Sequence, residues 1–516
     1  MVELGDRRIS RRKLGATVVA SGIVAAFGEG REPNKKPISS PLQAETLEKV
    51  AEPSIYGVDP PPQEALVYQE PLFPDTPFIV TPKHTTIAGE NQKEGHAGWR
   101  VERPDVVGGA LFTGPNSVLP GEKIDFFGAN NSGSYNLNLY RLGWYGGKGG
   151  RLVYSQDAIK APGISTKVDP KTRTTMAAWG PSHALTVPDD WRSGMYMAVA
   201  TGKNGAQTIA PFWIRSQEKT APVITSAGLL TYSAYSNVAG LSLYGGATSV
   251  SLDRPLTTRG GVEETLPLDI SFLRFIERSG TDTDYMIDVD SQDIEDIYDK
   301  RKLVVMSGHH EYYTDRMRQR LHDATNNQTN VALIGSNALY WRIRLEDSEH
   351  GKNRIVVCYK NGGDPNKENP TGLFRNHNSH EAQFFGVAYD HVIDAKAVDD
   401  WVVSDPNHWA FKGTGMQEGD AVKKAIGAEY DIIFDDIKSG KSREILAESL
   451  VSKGPKQGHS YSCIITHESG AQVFTTGSLD WGYALDDFRK GWSRAYQIPV
   501  DPLAQQIASN VLKKLS

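Results

Sequence analysis

Between residues 95 and 216 the apolar positions come in short alternating runs, at 123–127, 135–142, 196–200 and 211–214, divided by clusters of Asn, Gly and Asp. A period of two in brief segments bounded by turn residues predicts a β-sandwich. After residue 220 the pattern changes. Residues 222–230 fit a first strand and 285–289 a short second one, while Leu-Val-Val-Met within 302–306 is the unbroken apolar run of a buried parallel strand. Ile270, Leu273 and Ile276 recur at helical spacing within 268–279, and Gly280 follows as a stop. Residues 315–324 read as a helix and 331–334 as another buried strand, with later strands at 355–359, 462–466 and 472–476. A last helix opens with Asp501 as N-cap and Pro502 at its first position, and Leu503, Ile507, Val511 and Leu515 share one face. Strands alternating with helices imply right-handed crossovers and a largely parallel sheet. No internal repeat is visible.

Upstream the chain is different. From Glu29 to about Asn91 it is polar and proline-rich, with Pro60-Pro61-Pro62 and no sustained period, which predicts a tether or surface-wrapping arm. Before it, the basic stretch from Arg7 leads into an uncharged run from Leu14 to Phe27, shorter than the ~20 residues a spanning helix needs. Ser10-Arg11-Arg12-Lys13-Leu14 looks like a twin-arginine export signal, so a periplasmic or extracellular location is expected. An ordinary secretory leader or a basic tail is the competing reading. The expected organisation is a twin-arginine-type signal peptide over 1–28, an arm over 29–94, a sandwich over 95–217 and an α/β domain over 218–516.

Composition narrows the function classes. A chain of 516 residues with 39% hydrophobic positions can bury a sizeable core. Net charge is −6, from 56 basic and 62 acidic residues, so no field points to nucleic acid or an anionic membrane. Two cysteines, Cys358 and Cys463, exclude a disulfide-dense scaffold and a Cys-rich zinc or iron–sulfur site.

In an open parallel sheet, ligands sit beyond the carboxyl ends of the strands. Tyr232, Tyr235 and Tyr244 follow the first strand, Ser307-Gly308-His309-His310-Glu311-Tyr312-Tyr313 follows Leu-Val-Val-Met, and Gly335-Ser336-Asn337 follows the next strand. If those strands are neighbours, His309 and Glu311 meet Asn337 in one crevice. A carboxylate with phenolate or imidazole ligands suits a hard Lewis-acidic metal such as ferric iron, able to activate water for attack on a carbonyl. Zinc motifs are missing. Glu311 is followed by Tyr-Tyr-Thr-Asp rather than completing His-Glu-x-x-His, and His309-x-Glu311 lacks the Pro-Cys-x-x-Cys of deaminases. No Gly-x-Ser-x-Gly elbow occurs. Blander readings stand beside the metal one: a strand-end tyrosine more often packs, a lone histidine more often caps, and Glu311 could complement a following helix N-terminus. The residues by themselves leave both open.

Longer segments carry a family resemblance. Residues 140–151 (YRLGWYGGKGGR), 191–196 (WRSGMY), 231–244 (TYSAYSNVAGLSLY), 308–312 (GHHEY), 335–344 (GSNALYWRIR), 354–360 (RIVVCYK) and 476–485 (TGSLDWGYAL) resemble bacterial proteins related to the large (beta) subunit of N,N-dimethylformamidase. The resemblance implies a multidomain α+β fold, with an immunoglobulin-like β-sandwich followed by a glutamine-amidotransferase-like, flavodoxin-like α/β domain. It also implies a mononuclear Fe(III) held by two tyrosines and a glutamate, with a histidine and an asparagine beside it. Glu311 matches the glutamate, His309 the histidine two residues earlier and Asn337 the asparagine. Tyr235 and Tyr244 are the tyrosines chosen, with Tyr232 and Tyr285 in reserve. His310 stands where relatives commonly have an acid and Tyr313 where they commonly have tryptophan; Asn-Val-Ala-Gly at 237–240 also departs from the pattern. Arg141, Tyr359, Arg375 and Trp481 are candidates for substrate contact, with structural roles the more common outcome for such residues. The expectation is an exported, iron-dependent hydrolase of a small amide, with His309, Asn337 and Glu311 catalytic. No nucleic-acid partner and no membrane span are expected; the resemblance suggests a small partner subunit, and a homo-oligomer is the other assembly left open. The alternative is a non-catalytic secreted binding or envelope-interaction protein on the same scaffold.

Overall fold

Two sheets form the first layer pair. Gly109–Gly114, Lys123–Asn130 and His183–Thr186 pair antiparallel in one; Ser117–Val118, Gln207–Ile214, Gly194–Gly202, Ser134–Leu142 and Gly150–Lys160 lie in that order in the other. Alternate residues of both sheets meet between them: Leu111, Ile124 and Phe126 from the smaller, and Leu137, Leu139, Tyr196, Ala198 and Phe212 from the larger. The other face of the larger sheet is also covered. Tyr140, Met195, Met197, Ile209 and Trp213 pack with Ile270, Leu273, Tyr285 and Ile287 of the following region. For that reason Gly194–Gly202 is buried along almost its whole length instead of alternating with solvent.

This computed structural model describes residues 86–101, 107–238, 240–256, 262–393, 397–452, 457–488 and 498–516. All of them belong to one compact unit. The expected signal peptide and most of the proline-rich arm lie outside the described residues. The last part of the arm's span does have structure: Ile87–Glu90 is a helical turn capped by Thr86, with Ile87 and Glu90 buried. Among the described residues no helix is long and apolar enough to cross a membrane.

The second region is built on a seven-stranded sheet. Its strands are β1 (Val223–Ala227), β2 (Thr283–Ile287), β3 (Leu303–Gly308), β4 (Asn330–Gly335), β5 (Ser442–Val451), β6 (Gly458–Thr466) and β7 (Gln472–Thr475), in the spatial order β2-β1-β3-β4-β7-β6-β5. The first five run parallel; β6 and β5 are added antiparallel at one edge. Its longer helices among the described residues are α1 (Leu229–Tyr235), α2 (Val262–Arg278), α3 (Asp315–Asn326) and α4 (Pro502–Leu515). Asp501 caps α4 by accepting from the Leu503 amide at 2.8 Å, and Ile507, Val511 and Leu515 turn inward as their spacing predicts. The chain is a mixed, sheet-rich α+β protein.

Two differences from the sequence reading bear on the site. Residues 222–230 are not one strand, because β1 stops at Ala227 and α1 begins two residues later. The Asp288 carboxylate, just past β2, accepts from the Leu230 amide at 3.0 Å and holds the start of α1, so the apolar run turns into a helix. Between β4 and β5 lies a set of short paired strands, of which the pattern predicted one, at 355–359. Arg344–Ser348 and Gly351–Val357 join Ser249–Ser251, Ala388–Val392 pairs with Glu429–Ile432, and Asp399–Val402 with Ala421–Ile426. Three of these ladders carry register irregularities, which scramble a period of two. Cys358 and Cys463 are both buried and free.

Topology locates a crevice. From β1 the chain moves out to β2, then crosses back to place β3 on the other side of β1. Such a reversal opens a ligand position at the carboxyl ends of β1 and β3.

Candidate functional site

The register between β3 and β4 pairs Gly308 with Gly335, so the loops His309-His310-Glu311 and Ser336-Asn337 leave the sheet side by side. Close backbone packing fixes their path. A Cβ on Gly335 would stand 2.2 Å from the Gly308 carbonyl oxygen, and Gly308 itself takes a left-handed φ of 71°. Thr231 on α1 ties the loop to the first strand's side, its Oγ1 accepting from the Glu311 amide at 3.1 Å.

Oxygen atoms converge there. The Tyr244 hydroxyl lies 2.9 and 3.1 Å from the two Glu311 carboxylate oxygens and 2.9 Å from the Tyr235 hydroxyl. Tyr312 donates to the Tyr244 oxygen at 3.1 Å, and Trp341 Nε1 donates to Glu311 Oε1 at 2.9 Å. Burial, and then the Glu311 carboxylate, push the Tyr235 and Tyr244 phenols well above their usual range. Lys360 Nζ stands 3.1 Å from the Tyr244 ring centroid and 2.6 Å from the Tyr312 hydroxyl; burial draws its pKa down to about 8, against the opposing pull of Glu311.

A second group adjoins the first. His309 Nε2 is 3.8 Å from Glu311 Oε2 and 3.2 Å from Glu429 Oε2, and its ring centroid is 5.7 Å from that of Tyr235. Asn337 Nδ2 donates to Glu429 Oε2 at 2.7 Å, while its backbone amide donates to Asp431 Oδ1 at 2.9 Å. Burial raises Asp431 to about 7. Asn337 is buried and held at φ 52°, a left-handed conformation that asparagine tolerates better than most residues. Its Oδ1 is buried with no hydrogen-bond partner among the described residues.

The structure therefore brings together Tyr235, Tyr244, Glu311, His309 and Asn337, and adds Glu429, Tyr312, Trp341 and Lys360. Glu429 had no signal in the sequence, since it sits on a four-residue strand of the irregular insertion. The reserve tyrosines point elsewhere: Tyr232 hydrogen-bonds to Asp269, and Tyr285 donates to Glu277 at 2.9 Å. His310 turns back into the fold, its ring nitrogens 3.1 Å from the Ser226 carbonyl oxygen and 3.1 Å from the Tyr313 hydroxyl, and burial depresses it to about 3. The two unusual residues of that loop are thus partners of each other. Arg141 is a buried ion-pair residue, with Nη2 2.8 Å from Glu277 Oε1. Trp481 is fully buried in the main core against Trp401. Arg375 donates to Glu381 Oε2 at 3.2 Å and lies over the Tyr340 ring at 5.0 Å. Tyr359 donates its backbone amide to Thr371 Oγ1 at 2.8 Å.

The donor set fits a hard cation. Two phenols and a carboxylate supply only oxygen, and a multivalent cation is the species that would offset their crowding and burial. Among the described residues no group of three or more His, Cys, Asp or Glu is arranged for a metal, so the phenols are essential to this reading. A cavity of about 220 Å³ elsewhere, lined by Arg215, Lys219, Asp284 and Arg301, offers less. Its charges are already matched, Arg301 with Asp284 at 2.6 Å and Lys219 with Asp296.

Residues 136–496 match the family described as N,N-dimethylformamidase beta subunit-like, C-terminal. The match spans more than half of the chain, and the chain belongs to that family. No curated protein matches it. Among solved structures, a Paenibacillus sp. cycloisomaltooligosaccharide glucanotransferase complexed with cycloisomaltoheptaose is similar at 7% identity, over 43% of this chain and 44% of that one, with a TM-score of 0.15. The chain thus spans less than half of that enzyme, and so slight a likeness carries no argument.

Proposed function

We propose that this member of the dimethylformamidase beta subunit-like family is an exported, iron-dependent hydrolase of a small amide. The observation that carries the reading is the Tyr244 hydroxyl, within 3.1 Å of both the Tyr235 hydroxyl and the Glu311 carboxylate oxygens, at the topological reversal of the sheet. Tyr235, Tyr244 and Glu311 would hold a mononuclear ferric ion. When bound, that ion supplies Lewis acidity.

The chain's own groups supply the rest. Asn337 Nδ2 is a neutral donor held in place by its backbone bond to Asp431, suited to a carbonyl oxygen gaining negative charge. His309 and Glu429, 3.2 Å apart, form a pair able to take a proton from attacking water and return it to the leaving amine. Trp341 donates to Glu311 Oε1 and fixes the carboxylate's orientation. The Tyr235 and Tyr244 rings pack against each other, centroids 4.5 Å apart, and form one wall of the site.

The finer architecture belongs to the same proposal. The two facing, mainly antiparallel sheets support an immunoglobulin-like domain over 95–217, and the mainly parallel sheet with its reversal supports a flavodoxin-like, glutamine-amidotransferase-like domain over 218–516. The Arg11-Arg12 leader over 1–28 supports twin-arginine export to the periplasm or beyond. A small partner subunit or self-association would complete the assembly.

The test is the metal content and visible spectrum of the full chain recovered from the exported fraction, followed by hydrolysis of small carboxamides. Bound iron with a broad tyrosinate band, both lost in Glu311→Ala, and amide turnover are expected. A colourless chain that takes up no iron and turns over no amide would leave a binding scaffold instead.

A further inference from the structure

Lys360 lies three residues beyond the strand Gly351–Val357. Its ammonium meets three aromatic rings and, among the described residues, no carboxylate at ion-pair distance. Nζ is 3.1 Å from the ring centroid of Tyr244, 4.7 Å from that of Trp341 and 5.2 Å from that of Tyr312. It also donates to the Tyr312 oxygen at 2.6 Å, and Tyr312 in turn donates to the Tyr244 oxygen at 3.1 Å. An enclosed ammonium without a directly paired carboxylate is costly, and ring faces offset part of that cost. The same positive charge therefore reaches Tyr244 twice, through the face of its ring and through a hydrogen-bonded relay to its hydroxyl.

We infer that Lys360 is a positioning residue that tunes Tyr244 as an iron ligand, lowering the energy of the ring's filled orbitals while holding the hydroxyl in line. The inference rests on the reading of Tyr244 as a ligand. It has a spectroscopic consequence. Charge transfer from a tyrosinate to ferric iron moves an electron off the ring and away from the ammonium, so the transition costs more energy with Lys360 present than without it.

The experiment compares iron-loaded wild type, Lys360→Met, Lys360→Arg and Tyr312→Phe by visible absorption, with iron content and circular dichroism measured on the same samples. Lys360→Met should move the band to longer wavelength by on the order of 20 nm, the scale set by a desolvated cation–ring contact. Lys360→Arg should keep the band near its wild-type position, and Tyr312→Phe should move it in the same direction by less. A folded, iron-loaded Lys360→Met with the wild-type band overturns the inference and leaves the ligand reading standing. Should Lys360→Met not fold, Tyr312→Phe decides alone, a shift supporting the relay and an unmoved band overturning it. A wild-type chain without the band removes the ligand reading and this inference together.

Discussion

Among the described residues, two clusters of tyrosine and glutamate differ in how their carboxylates are paired. At the junction of the sandwich with α2, Glu277 faces Arg141 at 2.8 and 3.1 Å, Tyr285 at 2.9 Å and the Asn91 amide at 2.6 Å. A second carboxylate there, Glu90, takes Tyr145 and Arg151 at 2.8 Å each. Each anion has its guanidinium. Beyond β1 and β3, Glu311 has tyrosine, tryptophan and histidine around it, and among the described residues no arginine or lysine pairs with it. Burying a carboxylate without a countercharge is expensive, so the first cluster reads as a finished clamp, and the second accords with the proposal that a cation completes it.

The largest effect expected from this contrast is on stability. Glu277→Ala strands a buried arginine and should cost about 3–5 kcal/mol in denaturant unfolding. Glu311→Gln, measured on metal-free protein, should leave stability unchanged or raise it. Equal destabilisation by both would break the comparison.

Next comes catalysis. Asn337→Gly suits the left-handed backbone and removes only the amide, so iron should stay bound while kcat for amide hydrolysis falls by about 10²–10³. A variant that loses its iron would place Asn337 in the metal shell instead.

The acid limb sharpens the clamp's side of the contrast. Burial pushes the Glu90 carboxyl up, but Arg141, Lys93, Arg151 and Tyr145 together hold it down at about 2. A folded pKa below the unfolded value of about 4.3 contributes stability that is complete above that value and is lost as pH falls toward 2. Glu90→Gln should therefore flatten the stability profile between roughly pH 5 and 2. The smallest effect is reserved for Tyr285→Phe, about 1 kcal/mol for one hydrogen bond, with iron binding untouched.

Only the Glu311 side of this contrast was legible in the chain, and the limits have physical causes. The parallel strands were visible because burial on both faces leaves an unbroken apolar run, as in Leu303–Gly308. Their adjacency alone is enough to place His309, Glu311 and Asn337 together. Choosing among the tyrosines was harder. Tyr232 and Tyr235 lie on the same short helix, and only the packing shows that one meets Asp269 and the other Tyr244. Glu429 was invisible, because the ladder that carries it is short and shifts register between Tyr389 and His391. No local pattern marks an isolated glutamate as one that folds back onto a loop far upstream. Long-range packing alone brings it to His309 and Asn337.

The most direct measurement is an iron titration of metal-free wild type beside Tyr244→Phe and Tyr285→Phe, read by bound iron and visible absorption. The account predicts a single iron per chain and a tyrosinate band in wild type and in Tyr285→Phe, with both lost in Tyr244→Phe. Iron binding with an unchanged band in Tyr244→Phe, or no iron binding in wild type, would contradict it.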